Sequence, residues 1–223
     1  MRDAARTAFR PLSEKLEGVV RWPYCDVRRL LTVAVGCILE PRALALSLPW
    51  QINGRRATDA EVRADLQAVH DSANAWEKPW TAKRQESLSR IRLTDEGVDG
   101  LVGRRLDANV DWFRTKLFPE WDDYSADAQL AMMLTAWGIG AAFDRASPPR
   151  PGLVAAIRER DWLSAKAHAH LSEAYNSGVI ERNRAIERCF DNAATVAMHG
   201  LDPSVLHWPA FVLPPVDITS ETA

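Results

Sequence analysis

The chain has no excess of basic charge, no paired cysteines, no long apolar run and no glycine-rich phosphate loop, and each absence removes a class of function. Lys and Arg total 28 against 30 Asp and Glu, a formal net charge of −2. Non-specific nucleic-acid binding needs a strongly basic face and is not expected. The basic pairs Arg28/Arg29 and Arg104/Arg105 read as solvated charge. There are three cysteines, Cys25, Cys37 and Cys189. The number is odd and no Cys-x-x-Cys occurs, so neither a disulfide framework nor a zinc site is indicated. Cys25 and Cys37 could meet across a hairpin, but reduced core thiols are the expectation. The longest apolar run, Leu30 to Leu39, is interrupted by Thr32 and is too short to cross a bilayer, so no membrane insertion is expected. The start, MRDAARTAFRPL, lacks the apolar core of an export signal, which implies synthesis in the cytoplasm without Sec-type export. His168 and His170, two positions apart, do not share a helix face, and no third strong ligand is evident; with Glu173 they read as ordinary surface residues, and no metal or cofactor is expected. No Ser/His/Asp or Cys/His arrangement stands out.

What is present is an ordinary globular composition, 47% apolar and 26% charged over 223 residues. That is enough for one large domain, or for two small ones joined by a helix. Nine Trp is a high count; most should be core, with a ligand-stacking cleft as the alternative.

Along the chain, AFRPLSEKLEG reads as a short helix. Phe9, Leu12 and Leu16 recur at helical spacing, Pro11 suits a first turn, and Gly18 is a stop. RWPYCDV and LLTVAVGCI are aromatic and β-branched and read as two strands of a hairpin. Asn53-Gly54 signals a tight turn. Thr58 to Glu61 is a capping box, opening a helix with Val62, Leu66 and Val69 on one face. DSANAWEKPWTAKRQES has no clear period and reads as a surface excursion. From Thr94 the chain is helical, with Val98, Leu101, Val102, Leu106, Val110 and Phe113 inward. Ser125 caps ADAQLAMMLTAWGIGAAF, apolar nearly all round and therefore central. SPPRPG reads as a linker. Helices follow at about Leu153–Arg160, Trp162–Tyr175 and Val179–Met198. The Pro-rich tail should wrap the surface in extended form. The expected fold is α+β, mainly α. A small hairpin-bearing lobe and an insertion span about residues 1–92, a larger helical lobe about 93–200 and the tail 201–223. A cleft between lobes would be the natural ligand site.

One constellation carries chemistry. Glu17-Gly18, Tyr24, Asp26 and Thr32 form the pattern E-G-x5-Y-x-D-x5-T, which resembles the catalytic segment of phage-type lysozymes, the muramidases that cut peptidoglycan glycan strands. Three later blocks extend the resemblance. LTDEGVDGLVGRRLDANV is similar to the family's capped linking helix and DAQLAMMLTAWGIG to its buried central helix. RDWLSAKAHAHLSEAYNSGVIERNRAIERCF is similar to its closing helices, including the step Asn183-Arg184. The match covers most of residues 9 to 192, with an insertion around Leu48 to Arg90.

The resemblance implies a lysozyme-like fold and hydrolysis of the β-1,4 bond between N-acetylmuramic acid and N-acetylglucosamine. Glycoside hydrolysis takes one carboxyl to protonate the leaving oxygen and a second, ionised carboxylate on the opposite side of the sugar. Glu17, at a helix end, is the better acid. Asp26 would orient or activate water and Thr32 would hydrogen-bond it. With water between them the carboxyls should be roughly 6.5–9.5 Å apart and the outcome inverting. Arg184 would pair with Glu17, while Trp137 and Gly36 would line the substrate cleft. Four positions depart from the family pattern. Arg29 and Ala34 stand where glycine is usual, Cys37 where histidine is frequent, and Gly138 where Asn or Gln is common. They keep open a second reading, a lysozyme-like module that holds glycan strands without cutting them, and a weaker third, a helical interaction protein that has kept only the scaffold. Partners implied are peptidoglycan strands and, if the chain is a toxin delivered by a secretion machine rather than a phage lysis enzyme, an immunity protein plugging the cleft.

Overall fold

The computed structural model describes residues 1–75, 81–139, 151–172 and 178–209. The fold is α+β with helix dominant and, among the described residues, two small antiparallel sheets. The chain divides into two compact units, Arg10–Asp111 and Met1–Phe9 with Trp112–Ala223.

Helix α1 runs Asp3–Glu17, starting earlier than its apolar spacing suggests because Asp3 puts negative charge in the first turn, where the helix dipole favours it. Pro11 therefore sits inside the helix and not at its start, at the cost of one backbone hydrogen bond. Gly18 ends the helix with φ +72, its N–H donating to the Glu14 carbonyl at 2.8 Å. This is the left-handed closure that glycine permits.

In the unit Arg10–Asp111 the first sheet has strands β1 (Val20–Cys25), β2 (Leu31–Ala34) and β3 (Cys37–Ile38) in that order. Three strands stand where two were expected. Ala34 and Gly36 adopt φ +57 and +68 and turn the chain within the apolar run, setting Val33 opposite Cys37. Tyr24 faces Thr32 and Val20 faces Ala34, with an irregular register between them. Pro23 lies in this bulge, where a missing N–H does no harm. All three cysteines are buried and unbridged.

The second sheet, β4 (Trp50–Ile52), β5 (Arg55–Arg56) and β6 (Arg92–Leu93), has order β5-β4-β6. Asn53 and Gly54 both take positive φ, 49 and 80, the two-residue hairpin geometry that Asn-Gly favours. A short helix, α2 (Arg42–Ser47), precedes this sheet, and α3 (Asp59–Asn74) follows β5. The Thr58 hydroxyl accepts from the Glu61 amide and the Glu61 carboxylate accepts from the Thr58 amide, while Val62, Leu66 and Val69 are buried. Thr58→Ala is expected to lower unfolding free energy by about 1 kcal/mol, read from denaturant melts. The described part of the next stretch is mostly exposed, as its lack of period suggested. Residues 76–80 lie outside the described residues, but α4 (Ala82–Gln85) ends on a Gln85 that is 0% exposed. Helix α5 (Asp95–Trp112) starts at Thr94, whose hydroxyl accepts from the Gly97 amide at 3.1 Å. The expected inward face, Val98 to Val110, is buried. A Cβ on Gly97 would lie 2.6 Å from Leu93 and 2.7 Å from Pro49, so only glycine lets α5 approach this closely.

The other unit holds α6 (Ala126–Ile139), α7 (Pro151–Arg158), α8 (Trp162–Ala169) and α9 (Gly178–His199). Ser125 caps α6 through the Ala128 amide at 3.2 Å, and every residue from Ala126 to Trp137 is buried. Aromatic rings run through this core: Phe113 stacks on Trp121, Tyr124 meets Trp162 edge-on, and Trp162 stacks on Phe190. Pro151-Gly152, expected in a linker, instead opens α7; proline at a first helical position costs nothing and fixes φ. Residues 147–150 lie outside the described residues. Helix α8 ends six residues before the expected Tyr175 (175 − 169 = 6), because Asn183 takes over the Leu171 backbone: its Oδ1 accepts from Leu171 N–H at 2.9 Å and its Nδ2 donates to Leu171 C=O at 2.8 Å. Residues 173–177 lie outside the described residues. Of the tail, residues 201–209 form turns and not an extended wrap, and the buried Asp127 carboxylate accepts from the His207 and Trp208 amides. Residues 210–223 lie outside the described residues.

Candidate active site

The sequence constellation lies in the unit Arg10–Asp111. Glu17 is the last residue of α1 and is exposed. Tyr24 stands on β1 opposite Thr32. Its phenol is pushed up to about 12 by burial first, then by the charges of Glu17, Asp26 and Cys37, with Arg105 opposing. Helix end, hairpin turn and sheet thus place Glu17 and Asp26 within electrostatic reach of one phenol.

Asp26 opens the β1–β2 turn. Its Oδ1 accepts from the Arg28 and Leu30 amides, both at 2.8 Å. Its own amide donates to the Leu30 carbonyl at 3.0 Å, and its carbonyl accepts from the Arg29 amide at 2.9 Å. The hydrogen bonds that make the turn also fix the carboxylate. Thr32 is buried, and its hydroxyl donates to the Leu30 carbonyl at 3.0 Å. A hydroxyl has one proton, so what Thr32 retains is acceptor capacity. Gly36, half-buried, accepts from Arg105 Nη1 at 2.7 Å through its carbonyl.

Arg105 is not the solvated half of a basic pair that its neighbour Arg104 suggests. It is partly buried and bonds the β2–β3 turn, and it also opposes the burial that pushes the Cys37 thiol up. The signal for it was present: position 105 follows Leu101 by four and Val102 by three, on the edge of the inward stripe.

Two of the departures from glycine have a backbone counterpart. Arg29 has φ +63 and Ala34 φ +57, so both non-glycine residues hold the left-handed conformation for which glycine is the usual solution. The strain is roughly 1–2 kcal/mol at each. Glycine would relieve it but lose about 0.5–1 kcal/mol in chain entropy. Ala34→Gly is therefore expected to stabilise by up to about 1 kcal/mol, seen as a higher melting temperature. At Gly138, a Cβ would lie 2.7 Å from Arg182 Nη1, so the guanidinium of Arg182, itself buried, fills the space an amide side chain would need.

The remaining two site residues belong to the other unit. Trp137 is 5% exposed and packs edge-on to Phe9 at 4.9 Å, a core placement. Arg184, expected to pair with Glu17, is exposed on α9 and pairs with Glu181 one turn earlier. His168 and His170 are exposed and His170 pairs with Glu187; Glu173 lies outside the described residues. Among the described residues no group of three His, Cys, Asp or Glu side chains could hold a metal ion, and no helix is long and apolar enough to cross a membrane.

No protein-family model matches the chain, and no curated protein matches it.

Proposed function

We propose that the chain is a peptidoglycan muramidase with a lysozyme-like fold, hydrolysing the β-1,4 bond between N-acetylmuramic acid and N-acetylglucosamine. The observation that carries the reading is the hairpin backbone. At the two positions where the phage-type lysozyme pattern has glycine, Arg29 and Ala34 hold positive φ. Adopting a conformation against the preference of the residue is a reason to infer that the turn shape matters. The register adds support, since Tyr24, opposite Thr32, feels both carboxylates.

In this mechanism Glu17 protonates the glycosidic oxygen as the bond to the anomeric carbon breaks. Asp26 accepts one hydrogen of a water. Thr32, whose own hydroxyl donates its hydrogen bond to the Leu30 carbonyl, accepts the other. A water held by both hydrogens presents a lone pair to the sugar, attacks from the face opposite the leaving group as one of its protons passes to the Asp26 carboxylate, and inverts the anomeric centre. No cofactor takes part. If the chain is a toxin delivered by a secretion machine rather than a phage lysis enzyme, an immunity protein plugging the site would pair with it.

A second reading, binding without hydrolysis, is favoured by the burial of Thr32. The two separate in one experiment. The chain is mixed with purified insoluble peptidoglycan, and both sedimented protein and newly formed reducing ends are measured. The muramidase reading expects reducing ends that accumulate with time and turbidity that falls on permeabilised Gram-negative cells. Retention on the pellet with no reducing ends overturns it in favour of the binding module.

A further inference from the structure

The sheet order leaves β1 an edge strand, yet its last residue has a partner on its outer side. Gln85, at the end of α4, accepts from the Cys25 amide through Oε1 at 2.8 Å and donates to the Cys25 carbonyl through Nε2 at 2.8 Å. One amide side chain imitates a neighbouring strand. Gln85 is 0% exposed, and a buried amide is tolerated only when its hydrogen bonds are made. The same segment grips β1 a second time. Trp22 Nε1 donates to the Ala82 carbonyl at 2.8 Å, and Lys83 lies over the Trp22 ring at 5.7 Å, with Arg92 of β6 over the same ring at 5.4 Å.

The Cys25 carbonyl and the Asp26 amide belong to one planar peptide unit. Gln85 holds the oxygen of that plane, and the Leu30 carbonyl accepts from its N–H at 3.0 Å. A plane held at both ends fixes the Cα of Asp26, and the turn amides then fix the carboxylate. We infer that the insertion is a brace for the hairpin, and that Gln85 is a positioning residue that sets Asp26 from a distance of 59 positions in the chain (85 − 26 = 59). The catalytic half of this inference rests on the muramidase reading; the structural half does not.

The test uses the full chain with Gln85→Leu and Gln85→Glu, read by amide hydrogen exchange and by reducing-end kinetics. Gln85→Leu keeps the volume and loses both bonds. Exchange at the Cys25 and Asp26 amides should accelerate at least about tenfold while α3 and α5 stay protected. Turnover should fall about a hundredfold, the scale of a misplacement near one ångström, with KM within about twofold. In Gln85→Glu the neutral acid both accepts and donates as the amide does, but the carboxylate cannot donate. Its turnover relative to wild type should therefore be near normal at low pH and fall as pH rises, reversibly; loss of packing alone would not titrate. If Gln85→Leu does not fold, Gln85→Glu alone carries the test through its pH dependence. Unchanged Asp26 exchange in either variant at neutral pH overturns the inference, as does unchanged turnover in an active enzyme. Accelerated Asp26 exchange in a chain whose wild type releases no reducing ends upholds the brace and rejects the muramidase reading.

Discussion

Glu17→Gln is expected to lower the rate of reducing-end release from peptidoglycan by roughly 10²–10⁴-fold, the range spanned by positioned proton transfer. The substitution keeps size and hydrogen-bonding shape and removes only the transferable proton. Binding should change little, so the loss should lie in kcat and leave KM near its wild-type value. Folding should not suffer, because Glu17 is the exposed last residue of its helix and Gly18 supplies the closure. A denaturant melt run beside the kinetics checks this. An equal melt with turnover lost assigns the effect to chemistry, whereas undiminished turnover removes Glu17 from the mechanism.

The largest expected effect on stability comes from Asp65, away from the candidate site. This carboxylate is 4% exposed and accepts from the Ser89 hydroxyl, the Arg90 and Ile91 amides and the Arg90 guanidinium. It ties α3 to the segment that enters β6. Asp65→Ala leaves the buried Ile91 amide and the part-buried Arg90 amide without their partner, while the exposed Arg90 guanidinium returns to solvent, and should cost roughly 2–4 kcal/mol. The pH dependence has a definite sign. Burial pushes the carboxyl up, but the Arg90 side chain, the Arg90 and Ile91 amides and the Arg90 charge together hold it below its ordinary value. A depressed folded-state value means stability that is present above the ordinary aspartate range and is lost as pH falls through the lowered one. The wild-type unfolding midpoint should therefore drop on acidification below that range, and Asp65→Asn should show a shallower drop. Equal acid dependence in the two would show that Asp65 is not the group responsible.

What the sequence made legible was local. The Thr58 box, the Asn53-Gly54 turn, the Ser125 cap and the inward face of α5 are written in a few adjacent residues, and each forms as expected. The break of the second strand at Ala34 was not legible, since alanine seldom takes positive φ. Nor were the Gln85 and Asn183 clamps. Each is a buried side-chain amide bonded to backbone 60 and 12 positions away, and such a bond leaves no pattern near either partner. Arg105 was hidden by its neighbour Arg104, which is exposed; adjacent charges on a helix point in different directions. At the candidate site, the turn that holds Asp26 was readable from residue type, whereas the direction of the Thr32 hydroxyl was not.

The most direct test of an acid at Glu17 acting with a water held by Asp26 and Thr32 is the anomeric form of the first product. Proton NMR of a soluble glycan fragment of the wall, followed from the first seconds of digestion, resolves the new reducing end before mutarotation mixes it. Attack by water opposite the leaving group predicts the α-anomer first. Appearance of the β-anomer first, or no new anomeric signal at all, would contradict it.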